Sequence, residues 1–282
     1  MTNYTNNQNL PEMYVRAVTN DPYTKGDADI SVSGLLEPPQ KRVITNQNRD
    51  SIVTDVADRF YAVQGQATHA IMERAAEGND LGHVEKRLYA DVNGWRVSGQ
   101  PDLITYEGEV WDWKNVSAYE LMNGIKPERV QQLNMYAYLA EINDLPVKSV
   151  HIGYLFRDWT KRNAQRDARY PQHPVTALEL PLWSWDERAK FVEARVELHQ
   201  AAERGVIQPC SDEERWAKPA KWAVIKEGAK RAVKLFEDQA EANVLAASKG
   251  SGYVVEERKG ENTRCELYCD AADYCPQFAA LG

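Results

Sequence analysis

Long apolar runs are missing from this sequence. Nowhere do eighteen apolar residues stand together, so no membrane-spanning helix is expected. The opening stretch, Met1-Thr2-Asn3-Tyr4-Thr5-Asn6-Asn7-Gln8-Asn9, is polar and lacks the apolar segment of a secretory leader. The expected location is the cytoplasm of a bacterial or phage-infected cell, without a membrane partner. No Gly-x-x-x-x-Gly-Lys-Ser/Thr loop is present, which removes a recognisable ATP motor, and no internal repeat appears. An excess of positive charge is also lacking. With 34 Lys and Arg against 42 Asp and Glu, the net charge of −8 argues against a general affinity for polyanions. Cysteine is scarce, 4 in 282 residues, and a chain of this length holds one large domain or two.

What is present starts with two short runs, Gly99-Gln100-Pro101-Asp102 and Asp112-Trp113-Lys114. Their carboxylates are hard oxygen ligands of the kind Mg²⁺ or Mn²⁺ takes. A lysine two positions beyond the second carboxylate suits a metal-activated water at a phosphodiester. Val110, Asp112 and Lys114 alternate with Trp111 and Trp113, so a strand places the charges on one face and the indoles on the other. Asp102 and Asp112 share that face only if the connecting hairpin loop has an odd number of residues. Tyr106-Glu107-Gly108, with Gly108 left-handed, meets this condition.

Further candidates flank the pair. His69 lies in a run that reads as the start of a helix, and Glu85 opens an expected strand over 85–92. Pro127 and Glu128 suit the first turn of a helix whose apolar stripe is Val130, Leu133, Ala137 and Ala140. Gln132 and Tyr136 lie four apart on it and share a face. Strands are expected over 150–157 and 175–182, and a charged helix over 185–203. The order gives an α/β fold, a mixed sheet flanked by helices.

Taken in order, the helical histidine, Gly-x-x-Asp, Asp-x-Lys and Gln-x-x-x-Tyr resemble the RecB-type exonuclease branch of the PD-(D/E)XK superfamily. The resemblance spans roughly residues 30–140. It implies a restriction-endonuclease-like core that hydrolyses DNA, with His69, Asp102 and Asp112 as ligands of Mg²⁺ or Mn²⁺, helped by the Trp113 carbonyl. Lys114 is then catalytic, Gln132 and Tyr136 contact DNA or brace the site, and Glu85 matches an acidic residue that often precedes the Gly-x-x-Asp run. The expected activity is an ATP-independent exonuclease of DNA recombination, replication or repair, with proteins of those processes as partners. A structure- or sequence-specific endonuclease, or a non-catalytic DNA-binding protein keeping the fold, are the alternatives.

Two basic stretches interrupt the acidic chain. Arg157, Lys161, Arg162, Arg166 and Arg169 form one, which lines the substrate path or is a mobile surface loop. Lys226, Lys230 and Arg231 belong to the other, between Arg215 and Lys234, where Trp216 and Trp222 are interleaved. Such a mixture suits phosphate tracking and base stacking, or else a solvated helix face. Around it stand Cys210 and a C-x₃-C-x₅-C group of Cys265, Cys269 and Cys275. Disulfides are not expected in a cytoplasmic protein, so the thiols are reduced or hold a metal. Relatives of the RecB type carry a four-cysteine [4Fe–4S] cluster, and zinc is the alternative. Their distant cysteine precedes the nuclease motifs, whereas Cys210 follows them. The expected domains are a loose tail over 1–28, the nuclease core over 29–209, and a cysteine-clamped module over 210–282. That module would carry a βαβ insertion, with strands over 222–226 and 253–258 and a helix over 228–247.

Overall fold

A computed structural model describes residues 3–21, 24–78 and 80–281. The first third of the chain runs β1 (Asn3–Thr5), α1 (Glu12–Thr19), β2 (Ile30–Ser31), α2 (Val32–Leu36), α3 (Pro39–Gln47), β3 (Val53–Asp55) and α4 (Phe60–Ala76). Next come β4 (Gly82–Val84), β5 (Leu88–Val92), β6 (Trp95–Gly99), β7 (Leu103–Thr105), β8 (Glu109–Val116), α5 (Ala118–Met122), α6 (Pro127–Ile142) and β9 (Ser149–Phe156). There follow α7 (Lys161–Arg166), β10 (Val175–Leu180), α8 (Trp185–Glu203), β11 (Ala217–Lys218) and β12 (Lys221–Lys226). The chain closes with β13 (Ala232–Phe236), α9 (Gln239–Lys249), β14 (Tyr253–Arg258), β15 (Glu261–Asn262), α10 (Thr263–Leu267) and α11 (Pro276–Ala279). It divides into two compact units, Met1–Pro39 with Val53–Val206, and Gln40–Ile52 with Ile207–Gly282.

The larger unit is mixed α/β. Its main sheet has five strands in the order β10-β9-β8-β7-β4, and a second sheet has the order β2-β6-β5. β8 and β9 are parallel, with α5 and α6 in the crossover between them, while β7 and β10 pair antiparallel to their neighbours. Along β8 the period of two is visible in burial. Val110, Asp112 and Val116 are buried, whereas Trp111 and Trp113 lie half-buried on the opposite face. There Trp111 stacks on Trp113 at 5.9 Å and on His151 at 4.5 Å between ring centres.

α6 is the central helix. The sequence pattern predicts an amphipathic stripe, yet every residue from Leu133 through Ala140 is buried. A helix covered on all sides needs internal partners for its polar groups. Asn134, fully buried, donates to the Val130 and Pro181 carbonyls and accepts from the Trp183 amide. Gly99 has a steric role here, because a Cβ on it would lie 2.5 Å from Leu139 Cδ1 and 3.0 Å from Tyr136 Cδ1. The Gly-x-x-Asp run thus lets α6 rest directly on the backbone that leads to Asp102. α8 starts at a capping box in which Ser184 and Glu187 satisfy each other's backbone amides. Farther along it, the buried Arg188 pairs with Glu141 at 2.9 Å.

Several expectations are corrected. Within the tail expected over 1–28, residues 3–5 and 12–19 are ordered: β1 pairs parallel with β3, and α1 follows. Glu85 opens no strand but sits between β4 and β5 with φ +48°. The basic stretch after β9 is not a loop throughout, because α7 is capped by Thr160 and Trp159 and Tyr170 anchor the return to β10, while its Arg and Lys side chains stay exposed.

In the smaller unit, three strands in the order β13-β12-β14 form an antiparallel sheet, and α9 packs its Ala242 and Ala246 against Val224. The module is therefore ββαβ, and the helix expected over 228–247 is replaced by β13 and the shorter α9. Gly228 turns the chain, a β-bulge lies between Val224 and Ile225, and Asp238 caps α9 by accepting from the Glu241 amide. Residues 40–52, placed by the sequence boundaries in the nuclease core, belong to this unit. Among the described residues no helix is long and apolar enough to cross a membrane.

Candidate metal centre

The hairpin of β7 and β8 sets the centre. Leu103 pairs with Trp111 and Ile104 with Val110, and that register extended by one places Asp102 opposite Asp112. The turn is the three residues 106–108, with Gly108 at φ +91°. Both aspartates are buried, at 6 % and 3 % exposure. The side chain of Asp102 accepts from the Trp113 amide, so the backbone of the Asp-x-Lys strand holds the first carboxylate.

Against this pair α4 brings His69. Its Nδ1 lies 2.9 Å from Asp102 Oδ1 and 3.5 Å from Glu85 Oε1. Potential ligand atoms of His69, Glu85 and Asp102 all fall within 4.8 Å of one another. Asp112 stands beside this group and meets Lys114 at 2.5 Å. Gln100, inside the Gly-x-x-Asp run, donates to Glu85 at 2.8 Å and accepts from Arg87. The cleft around them is also lined by Gln66 and Glu73 of α4 and by Gln132 and Tyr136 of α6. Gln132 donates to the Tyr136 hydroxyl at 3.0 Å, which fixes the orientation of both.

The electrostatics follow from the packing. Hydrogen bonds to Asp102 and then Glu85 push the His69 imidazole up to about 10, against the opposing effect of its burial. Burial raises Asp102, with Asp112 adding to the rise and the bond from His69 opposing it. Two buried carboxylates, a third at the rim and one imidazole form a donor set that could hold a metal ion. A divalent cation would relieve the mutual repulsion of the aspartates and displace the His69 proton.

Sequence reasoning missed Gln66, Glu73, Gln100 and Arg87 in this cleft. Gln100 had a signal, since it lies within the Gly-x-x-Asp run. The others are ordinary polar residues whose convergence depends on the angle between α4 and the hairpin.

The cysteines occupy the smaller unit. Cys210, Cys265, Cys269 and Cys275 line one cavity with Gln40 and Ile44 of α3, Arg215, and Gln277. The Cys210 amide donates to both Gln40 and Gln277 at 2.8 Å, and Gln277 donates back to the Cys210 carbonyl at 2.8 Å. Burial, then Glu214 and the other cysteines, push the Cys210 thiol up to about 11, and burial also raises Cys265. Among the described residues no three of the sulfurs lie within 4.8 Å of one another.

Lys226, Lys230 and Arg231 are exposed around the β12–β13 turn of the same unit, away from its small core.

No protein-family model matches this chain, and no curated protein matches it. Among solved structures, one named SSO0001 superposes with a TM-score of 0.48 at 14 % identity, covering 66 % of this chain and 84 % of the other. A second, named "Putative exonuclease" from Eubacterium rectale, superposes with a TM-score of 0.37 at 10 % identity, covering 74 % of this chain and 90 % of the other.

Proposed function

We propose that this chain is a divalent-metal-dependent deoxyribonuclease with a PD-(D/E)XK core. The observation that carries the reading is the convergence of His69, Glu85, Asp102, Asp112 and Lys114 in one cleft, from a helix, a loop and a hairpin. His69, Glu85, Asp102 and Asp112 would hold Mg²⁺ or Mn²⁺, with the backbone of Trp113 alongside. The bound cation supplies Lewis acidity toward a phosphoryl oxygen and a water of lowered pKa. Lys114, held by Asp112, presents an ammonium that can orient the attacking water and offset charge on the phosphorane-like transition state. Gln132 and Tyr136, locked to each other, brace the opposite wall of the cleft.

A second cofactor is part of the proposal. The four thiols would hold a [4Fe–4S] cluster, with zinc as the alternative, and what supports a bound group is that all four line one cavity. Lys226, Lys230 and Arg231 would contact DNA phosphates.

The test is cleavage of end-labelled linear DNA and of closed circular DNA with Mg²⁺ or Mn²⁺. An exonuclease degrades the first and spares the second, whereas cutting of the circle would favour an endonuclease. Asp112→Ala should abolish cleavage and keep DNA binding, because it removes a ligand and no basic surface. Wild-type rates in that variant would overturn the site assignment. A wild-type protein that binds DNA and cuts neither substrate would favour the non-catalytic reading.

A further inference from the structure

A surface beyond the metal centre, in the larger unit, combines exposed aromatic rings with a cluster of cations. Phe60 and Tyr61 open α4, and they are 48 % and 58 % exposed. Their rings meet edge-on at 5.4 Å. The Arg157 guanidinium lies 4.1 Å from the centre of the Tyr61 ring, and its Nη1 donates to the Asn115 carbonyl at 3.2 Å. Asn115 in turn donates to Thr68 of α4 at 3.3 Å. The stack is thus tied to the strand of Asp112 and Lys114 and to the helix of His69.

More cations follow Arg157 closely in the chain. Lys161, Arg162 and Arg166 project from α7, which follows Arg157 directly and is capped at Thr160. None of the three enters an ion pair among the described residues. The acids that flank α7 in the chain are committed elsewhere, Asp158 to Ser117 and the Ala118 amide, and Asp167 to Arg169.

We propose that this surface binds the unpaired strand of a polynucleotide, with bases stacking on Phe60, Tyr61 and the Arg157 plane, and with phosphates taken by Lys161, Arg162 and Arg166. The proposal rests on the nuclease reading and specifies its substrate as one that presents a single strand. Three arguments support it. Aromatic faces recognise bases only when these are unstacked from a partner strand, since a duplex hides them. A chain of net charge −8 needs its phosphate-binding cations gathered locally, and α7 gathers three whose neighbouring acids are already engaged. Finally, Tyr61 and His69 are eight residues apart on one helix, so about 12 Å separates them at 1.5 Å per residue. Along the helix axis that is about three stacked nucleotides at ~3.4 Å each, a span short enough for a strand held on the rings to extend toward the carboxylates.

The experiment uses the full chain with Ca²⁺ in place of Mg²⁺, to measure binding without turnover. Fluorescein-labelled oligo(dT) of twenty nucleotides and a blunt hairpin duplex are titrated at several NaCl concentrations. The Phe60→Ala, Tyr61→Ala double variant should lose tenfold or more affinity for oligo(dT), with its salt slope and its duplex binding unchanged. Tyr61→Phe, which keeps the ring, should bind as wild type and guards against a folding artefact. Replacing Lys161, Arg162 and Arg166 by Ala should flatten the salt slope by about 0.7 for each phosphate no longer neutralised. Unchanged oligo(dT) binding in both the aromatic and the charge variants would overturn the proposal, as would equal losses for duplex and single strand. Cleavage by the wild-type protein is measured alongside. Intact cleavage with unaltered binding in the variants refutes this surface alone. Absent wild-type cleavage with ring-dependent binding instead refutes the nuclease reading and leaves this surface standing.

Discussion

Metal binding at the carboxylate centre should be linked to the release of one proton. Without metal, His69 is held as an imidazolium by Asp102 at 2.9 Å and Glu85 at 3.5 Å, with its pKa raised to about 10. A cation needs the neutral ring, so the proton must leave as the ion enters. Between pH 7 and 9 nearly every site starts protonated, and the apparent association constant should rise about tenfold per pH unit. Two units of pH are then worth about a hundredfold, with a plateau above the raised pKa of about 10. Calorimetric titration with Mg²⁺ or Ca²⁺ in buffers of different ionisation enthalpy counts the protons directly, and about one per ion is expected near neutral pH. His69→Ala should lower affinity and remove the slope together. A wild-type affinity that is flat from about pH 7 to 9 would refute either the imidazolium or its role as ligand. The stability of the metal-free protein has the matching sign. The folded pKa lies above the ordinary value of 6.5, so this contribution is complete below pH 6.5 and lost as pH rises through about 10. The thermal midpoint should therefore fall across that window, and saturating metal should suppress the fall.

Other perturbations test the fold and the second unit. Gly153→Ala places a Cβ 2.1 Å from Trp113 Cε3, so unfolding experiments should show a loss of about 1–3 kcal/mol, with weakened cleavage because the Trp113 amide holds Asp102. Ser184→Ala removes the capping box of α8 and should cost about 1 kcal/mol by chemical denaturation, without touching the cleft. Replacing Lys226, Lys230 and Arg231 together should weaken DNA binding and flatten its salt dependence, and an unchanged slope returns them to a solvated turn. Anaerobically purified protein should be brown and contain iron, and Cys275→Ala should lose both colour and the stability of the smaller unit. Elemental analysis finding neither iron nor zinc would end that assignment.

The hairpin is legible in the sequence because its information is local. Alternation along Val110–Lys114 and an odd loop ending in Gly108 constrain one register, and a neighbouring helix cannot change it. The helix expected over 185–203 stands as α8, and the capping box of Ser184 and Glu187 at its start is likewise local. The β13 strand is not legible. Ala232–Phe236 follows Lys230 and Arg231 and precedes an alanine-rich run, and on this edge strand Val233, Lys234 and Leu235 are all exposed, so no alternation of burial marks it as a strand. Glu85 reads as part of a strand because nothing in a glutamate signals a left-handed backbone. The neighbours of the metal centre depend on tertiary angles. Gln66 and Glu73 look like any solvent-facing residues of a helix until α4 is laid beside the hairpin. The four cysteines can be counted in the sequence, but the contribution of Gln40 and Ile44 cannot be seen there, because they are far away in the chain.

That last arrangement bears on how the protein can be cut. The smaller unit is assembled from two stretches of chain, and the first of them interrupts the sequence of the larger unit. Gln40 accepts from the Cys210 amide, Ser51 accepts from the Tyr274 hydroxyl at 3.1 Å, and Val43, Ile44 and Ile52 are buried. A stop codon after Val206 would therefore not release a tidy catalytic fragment. It would leave α3 as an orphaned half of another fold, with its apolar side chains uncovered and its glutamine unanswered. The reverse cut fails for the same reason, because residues 207–282 alone lack one wall of the thiol cavity. A nick in the 204–209 connection would behave differently, because both halves of the smaller unit would still be supplied and could hold together without a covalent joint. Genetic separation of the two units thus calls for a circular rearrangement, with residues 40–52 moved to follow or precede 207–282, rather than for a deletion from either end.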